Sequence, residues 1–381
     1  MTRPIWFNRP AVTGREFDYM REALQSGHIS GDGSFTKRCH TVLEAVTGAK
    51  RAFLTTSCTH ALEMAMLLLD LGPGDEVILP SFTFVSTANA IALRGATPVF
   101  LDVRADTLNL DETLLEAAIT PRTRAIVVVH YAGVACEMDA ILDIARRHGL
   151  VVVEDNAHGL FGHYKGRPLG SLGALATLSF HETKNVTCGE GGALLVNDAQ
   201  YIERAEILRE KGTNRARFFR GQVDRYTWVD IGSSYLPSDI LSACLLAQLE
   251  ARDEIQTRRH AIWTRYAQEL CAWARECDVH LPVVPAHCQH PAHLFYLVMP
   301  SLEARTALIE HLKANQILAV FHYQPLHLST MGLTYGGKAG LCPVTERVSD
   351  RLVRLPLYFS MTAEDQSHVS DIVRRFSTVS Q

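Results

Sequence analysis

Two stretches carry residues whose types and spacing could do covalent chemistry. Ser179-Phe-His-Glu-Thr-Lys184-Asn-Val-Thr-Cys-Gly-Glu-Gly-Gly192 sets one lysine in a polar loop, after a small-residue strand expected over 174–180 and before a glycine turn. Glu154-Asp155-Asn156-Ala157-His158 puts a carboxylate at the end of an apolar strand expected over 150–154. Ligands of open parallel sheets bind beyond the carboxyl ends of the strands. A lysine and an aspartate both delivered there suit pyridoxal phosphate (PLP). The lysine would hold its aldehyde as a Schiff base, and the aspartate would keep the pyridine nitrogen protonated so that the ring acts as an electron sink. The neighbouring Lys165 lies in a hairpin-like Tyr-Lys-Gly-Arg segment and is a poor rival.

Other stretches fit around this pair, each with a plainer alternative. Thr55-Thr-Ser-Cys-Thr-His60 falls between a strand and a helix, where free N–H groups and the helix dipole favour a phosphate; simple N-capping by Ser57 or Thr59 is the other reading. Phe84 could stack on a pyridine ring or belong to the core. Asp155 could instead cap a helix beginning at Asn156. Beside a pyridinium cation its pKa would fall, typically by about 1–3 units. His158 could donate to a ring oxygen or be structural. Arg215-Ala-Arg-Phe-Phe-Arg220 could clamp a pyrophosphate or form a solvated loop.

The elements that must position these residues alternate β and α from about residue 49 to 154. Their strands are apolar throughout, as a parallel sheet buried on both faces requires. Residues 1–13 are expected to form an extended arm, 14–250 a large PLP-binding domain, and 251–381 a smaller α+β domain. Ser26-Gly-His-Ile-Ser-Gly-Asp-Gly-Ser34 is a connector or a substrate-side loop. The polar, aromatic stretch 212–239 is long for a compact domain, which marks it as functional. One helix is expected over 238–271, and strands over 294–299 and 318–321.

Composition narrows the class. The 381 residues are 47% hydrophobic and 20% charged, with a net charge of -4 and both signs interspersed, so nothing argues for a nucleic-acid surface. No apolar run reaches the roughly 18–20 residues of a membrane helix, and residues 1–10 offer no signal-peptide core. Nine scattered cysteines without CxxC pairs suggest free thiols in a reducing cytoplasm. Seventeen histidines include no HExxH, so no metal site is expected. No GxGxxG follows a strand, which argues against a nicotinamide dehydrogenase.

Thr56-Ser-Cys-Thr59, Pro80-Ser-Phe-Thr-Phe84, His130-Tyr-Ala-Gly133, Glu154-Asp155, Phe180-His-Glu-Thr-Lys184 and Glu190-Gly-Gly together resemble the DegT/DnrJ/EryC1/StrS sugar aminotransferases. Longer strings carry the likeness too, among them Lys211-Gly-Thr-Asn-Arg215 and Phe218-Phe-Arg-Gly-Gln-Val-Asp224, and it spans Phe7 to about Phe376. The resemblance implies a fold-type I PLP aminotransferase: a large domain with a mostly parallel central sheet, and a smaller C-terminal α+β domain. It implies amino transfer from L-glutamate to C4 of a dTDP-linked 4-keto-6-deoxy sugar, in a homodimer with shared sites. Lys184 would be the Schiff-base lysine, Asp155 the pyridinium partner and His158 the contact to the ring hydroxyl. Ser57, Cys58, Thr59 and Ser179 would bind the phosphate, with Phe84 over the ring. Many relatives add an asparagine from the second subunit. The matching Ser233-Ser-Tyr-Leu-Pro-Ser-Asp239 has none, leaving Ser234 or Tyr235. His181, Arg215, Arg220, Tyr235 and His322 are the candidate substrate contacts. A dehydratase relative would carry histidine in place of Lys184. Amination at C3, the opposite C4 configuration, and a silent PLP-binding regulator remain as alternatives.

Overall fold

The computed structural model describes residues 4–377. The first three residues of the expected arm and the last four of the expected C-terminal domain lie outside the described residues. Helices α1 (Glu16–Gln25) and α2 (Ser34–Thr47) come first. Then follow β1 (Arg51–Thr55), α3 (Cys58–Leu68), β2 (Glu76–Pro80), α4 (Val85–Ala92), β3 (Thr97–Leu101), α5 (Leu115–Ala118), β4 (Thr123–Val129), α6 (Met138–His148) and β5 (Val151–Asp155). A small hairpin, β6 (His163–Tyr164) and β7 (Arg167–Pro168), carries Lys165 at its tip, paired with Asp139. Next are β8 (Leu175–Ser179), β9 (Gly192–Val196), α7 (Ile202–Arg209), α8 (Arg215–Phe219), α9 (Asp239–Glu250) and α10 (Arg252–Glu276). The remainder holds β10 (Cys288–Gln289), β11 (Phe295–Val298), α11 (Leu302–Ala314), α12 (Thr330–Thr334), α13 (Pro343–Arg351), β12 (Leu352–Leu355) and α14 (Ala363–Arg374).

The central sheet runs β1-β9-β8-β5-β4-β2-β3, with β9 alone antiparallel to its neighbours. Both faces are buried, and the pleat sorts the residues by parity. Val77, Leu79, Val127 and Val153 pack with Leu62 and Met66 of α3. Ile78, Ile126, Val128 and Val152 pack on the opposite face with Ile141 of α6. The mostly parallel α/β sheet expected from the sequence is therefore the one observed.

The helix expected over 238–271 is two helices, broken at Ala251 and running on to Glu276. No glycine or proline marks the break. It arises because the halves serve different cores: Leu245, Leu246 and Leu249 pack under α2, whereas Ile262, Tyr266 and Leu270 pack with β11, β12 and α14. The strand expected over 318–321 is not formed. Leu318 donates to Ile5 and Val320 pairs with Arg354, so the segment splits its bonds between two partners. Ile5 thereby fastens the N-terminal arm to the second core. A further cluster joins Phe82 and Tyr131 to Leu294 and Tyr296, linking the sheet to the C-terminal part.

Glu154 anchors the sheet beside the site. Fully buried, it accepts from the N–H groups of Gly170 (2.8 Å), Leu172 (2.7 Å) and Gly173 (2.6 Å) and bonds His130 Nε2 at 2.8 Å. Burial pushes its carboxyl up, but His130 and these N–H groups outweigh it and hold the pKa below the usual range. Its contribution is thus present at neutral pH and is lost only as pH falls through that lowered value. Glu154→Ala strands four buried donors, and urea unfolding should show a loss of roughly 3–5 kcal/mol. A loss under 1 kcal/mol would contradict this account.

Candidate active site

The carboxyl ends of β1, β2, β5 and β8 open into a cavity of about 640 Å³. Each edge of it is built by a neighbouring turn. At one edge, β1 turns into α3, whose N-cap is Ser57; its hydroxyl accepts from the His60 N–H at 3.1 Å. The capping reading of Ser57 therefore holds, and the Cys58 and Thr59 N–H groups are left without partners inside the helix. Thr59 Oγ1 lies 2.8 Å from Ser86 Oγ, and Ser179 ends β8 at the same cavity. Gly192 makes this edge possible, because a Cβ there would lie 2.3 Å from the Ser57 carbonyl carbon. Hydroxyls and a helix N-terminus together form a cradle for a phosphate.

Lys184 hangs in the loop that β8 and β9 close. Phe180 N–H donates to Gly191 O at 2.8 Å, and Cys188 N–H to Phe180 O at 3.1 Å. Next to the lysine, Asn185 donates to Pro291 O at 2.7 Å, which fixes the loop from below. Burial lowers the Lys184 pKa to about 8, against the opposing pull of Cys58 and Asp155. Asp155 is 5% exposed and accepts only neutral donors, Thr87 Oγ1 at 2.7 Å and the Ala157 N–H at 3.2 Å. Burial raises its pKa, and the Lys184 charge opposes this. The Ala157 bond is the local turn that the helix-capping alternative anticipated, although no helix of four or more residues follows.

Three histidines line the far wall. His158 stacks on His293 (4.3 Å between centroids), and its Nε2 is 3.4 Å from the Tyr323 hydroxyl; its buried Nδ1 has no partner. His322 Nδ1 is 3.1 Å from the Tyr131 hydroxyl. Burial holds the pKa of both His158 and His322 well below the ordinary value. Phe84 is the N-cap residue of α4, and its ring is 57% exposed at the mouth, free to cover a flat ligand. His181 also lines the cavity. Cys58 is no nucleophile: burial, with Asp155 nearby, pushes its thiol up to about 12.

The cavity thus gathers Lys184, Asp155, His158, Ser57, Cys58, Thr59, Ser179, Phe84, His181 and His322. It does not gather the others. Arg215 and Arg220 pair with Glu210 and Glu206 and line a separate hollow, along with His28, Gly31 and Asp32 of the glycine-rich loop. Tyr235 is buried against His60, and Ser234 is exposed, bridging Glu210 through its backbone. Thr87, Ser86, His293, Tyr323 and Arg354 escaped the sequence reading. Thr87 could have been found, since it sits three residues after Phe84 on a helix starting at the sheet edge. Arg354 comes from the C-terminal part and carried no local signal, whereas Tyr323 adjoins His322, already expected as a substrate contact.

These residues fit PLP. A bare buried carboxylate suits a pyridinium, an unpartnered His158 Nδ1 suits a ring oxygen, and the α3 cradle suits a phosphate. Fold and site define a fold-type I PLP-dependent aminotransferase. Residues 10–374 match the DegT/DnrJ/EryC1/StrS aminotransferase family, and the chain belongs to it. It is 36% identical over 376 residues to the spore coat polysaccharide biosynthesis protein SpsC of Bacillus subtilis, covering 97% of this chain and 96% of that one. Among solved structures it resembles Spr1654 from Streptococcus pneumoniae, described as a sugar aminotransferase, in its PLP form (28% identity, TM-score 0.90, 98% of each chain). It also resembles S. venezuelae DesV (30% identity, TM-score 0.89, 98% of each chain). PLP is the cofactor.

Only the neutral amine of a lysine attacks an aldehyde, so the lowered pKa of Lys184 would favour its reaction with PLP. At pH 7 a lysine of pKa about 8 holds on the order of 10²–10³ times more neutral amine than an unperturbed one. The rate at which stripped protein regains its yellow absorbance with PLP should rise with pH and level off above about 8. A rate still climbing steeply two units higher would mean that Lys184 titrates as a solvent-exposed lysine.

Proposed function

We propose that this aminotransferase passes the amino group of L-glutamate to C4 of dTDP-4-keto-6-deoxy-D-glucose. The product is dTDP-4-amino-4,6-dideoxy-D-galactose, an amino sugar for lipopolysaccharide or other surface polysaccharide. The observation that carries the reading is the meeting of Lys184 and Asp155 in one cavity with a phosphate cradle at its edge. SpsC, named for polysaccharide biosynthesis, and the sugar aminotransferase Spr1654 support the substrate class.

PLP, when bound, supplies the electron sink at its pyridine ring. This chain's residues do the rest. Asp155 would hold the proton on the ring nitrogen, and His158 Nδ1 would meet the ring hydroxyl. Ser57, Cys58, Thr59 and Ser179 would hold the phosphate, while Phe84 would cover the ring. Lys184 Nζ would carry a proton away from the donor's Cα, help worth about 10²–10⁴ in rate. The amino group of glutamate would replace the C4 carbonyl oxygen of the sugar, with 2-oxoglutarate as the co-product. His181 and His322 would meet the sugar.

The working unit in this reading is a cytoplasmic homodimer whose sites are shared. Phe219, Tyr226 and Trp228 are 70%, 53% and 77% exposed, beside Arg215 and Arg220 and away from this chain's own cavity. A second copy would cover these aromatics and bring the two arginines to a pyrophosphate. Ser234 or Tyr235 would then approach the cofactor phosphate of the partner. Among the described residues, no helix is long and apolar enough to cross a membrane.

Incubating the holoprotein with L-glutamate and dTDP-4-keto-6-deoxyglucose should give a product whose NMR couplings place an axial amine at C4. An equatorial C4 amine, or substitution at C3, replaces the sugar assignment with a sister reaction. No transfer to any nucleotide-linked keto sugar would leave a PLP-binding regulator.

A further inference from the structure

His158 stands in the cavity wall with its two ring nitrogens in unequal circumstances. Nε2 lies 3.4 Å from the Tyr323 hydroxyl, whereas the buried Nδ1 has no partner. Two other buried histidines are satisfied at both nitrogens. His130 bonds Glu154 through Nε2 at 2.8 Å and accepts the Cys136 N–H at Nδ1 at 3.2 Å. His327 reaches Glu346 through Nε2 at 3.0 Å and Ser81 Oγ through Nδ1 at 2.6 Å. The half-satisfied ring is the one that faces the site.

A neutral imidazole carries one ring proton, and the bond made by one nitrogen decides whether the other bears it. Tyr323 makes that choice for His158. Among the described residues its hydroxyl has no second partner, and burial pushes its pKa up, so it stays protonated and donates. An Nε2 that accepts leaves the proton on Nδ1. The tyrosine is itself held, its ring meeting Phe82 and Tyr131 edge-on at 5.6 and 6.2 Å between centroids. The imidazole is held as well. His293 stacks on it at 4.3 Å and 27°, and His293 Nδ1 is fixed by Asn185 Oδ1 at 3.0 Å. Burial first, then the charges of Lys184 and Arg354, keep His158 neutral, and the facing His293 and His322 are neutral for the same main reason.

We propose that the Tyr323 hydroxyl is a positioning group that fixes His158 as its Nδ1–H tautomer, so that the histidine meets the ring oxygen of PLP as a hydrogen-bond donor. The inference rests on reading the cavity as a PLP site. In the opposite tautomer Nδ1 would turn a lone pair toward the lone pairs of that oxygen, and the contact would be repulsive. Tyr323 thus acts on the cofactor through the imidazole without touching it.

Histidine labelled with 15N reads the tautomer directly, in stripped protein and in holoprotein, the His158 signals being assigned by their loss in His158→Gln. The wild-type protein should show a protonated Nδ1 and a bare Nε2. Tyr323→Phe, which removes one oxygen and keeps the ring, should move His158 toward the opposite tautomer while the signals of His130 and His327 stay in place. A donor at the ring oxygen favours the negative charge left there when the yellow form loses its proton, and so lowers the pH midpoint of the yellow absorbance. In the holoprotein, Tyr323→Phe should therefore raise that midpoint by about 0.5–1 unit. In a His158→Gln background the same substitution should shift it by less than about 0.3 unit, since the group it acts through is gone. A bare Nδ1 in the wild-type protein, a tautomer unmoved in Tyr323→Phe, or equal midpoint shifts with and without His158 would overturn the proposal. If His158→Gln alone leaves the midpoint in place, the contact read between His158 and the ring oxygen fails and the donor role falls with it. The expected tautomer in stripped protein would then show that the fault lies in that reading and not in Tyr323.

Discussion

An ionised carboxylate shut away from water with no cation touching it is expensive to maintain. Asp155 is in that position: its bonded partners are a hydroxyl and a backbone N–H, and burial drives its pKa upward. A protein built only for stability would pair it, expose it or replace it. Here the surrounding structure keeps it bare. Thr87 orients one oxygen, the 155–157 turn orients the other, and the Lys184 charge lies near without closing a salt bridge. The same desolvation that makes Asp155 seek a cation also drives Lys184 toward its neutral form. The same burial therefore sets a bare carboxylate and a lysine of lowered pKa in one cavity, the pair that a pyridinium and an aldehyde would need.

The sheet enforces this through parity. Val153 and Asp155 share one face of β5 with α3 and α4, while Val152 and Glu154 share the other. Glu154 uses its face to fasten the 170–173 loop and His130. A register slip of one residue would aim Glu154 into the cavity and bury Asp155 against that loop. The two acids are adjacent and chemically alike, yet one is saturated with donors and the other is held open. The four N–H and imidazole bonds to Glu154 thereby act at a distance on the site, since they pin the strand whose next residue must be Asp155.

How much of this the sequence disclosed depends on how local each feature is. The apolar strands, the β–α alternation and the lysine loop were legible because each is written in contiguous residues with its own period or turn chemistry. The break at Ala251 was not, since nothing in Gln248-Leu-Glu-Ala-Arg-Asp253 weakens a helix; two separate cores impose it. The would-be strand at 318–321 was misread because its apolar residues serve Ile5 and Arg354 singly rather than one neighbouring strand. In the site, Lys184, Asp155 and the α3 turn announced themselves by position. Tyr323, His293 and Arg354 belong to segments more than a hundred residues downstream of Lys184, and only tertiary packing brings them to the cavity.

That division explains the placement of charge around the cofactor. The α3 edge offers an anion backbone N–H groups, a helix dipole and hydroxyls, none of which carries a full charge. Within this chain the cavity's full cations are Lys184 and Arg354 alone, at least among the described residues. A lysine or arginine at that edge would add a third cation to a cavity that already holds Lys184 and Arg354, and like charges so close repel. Neutral donors can meet an anion there without adding that repulsion.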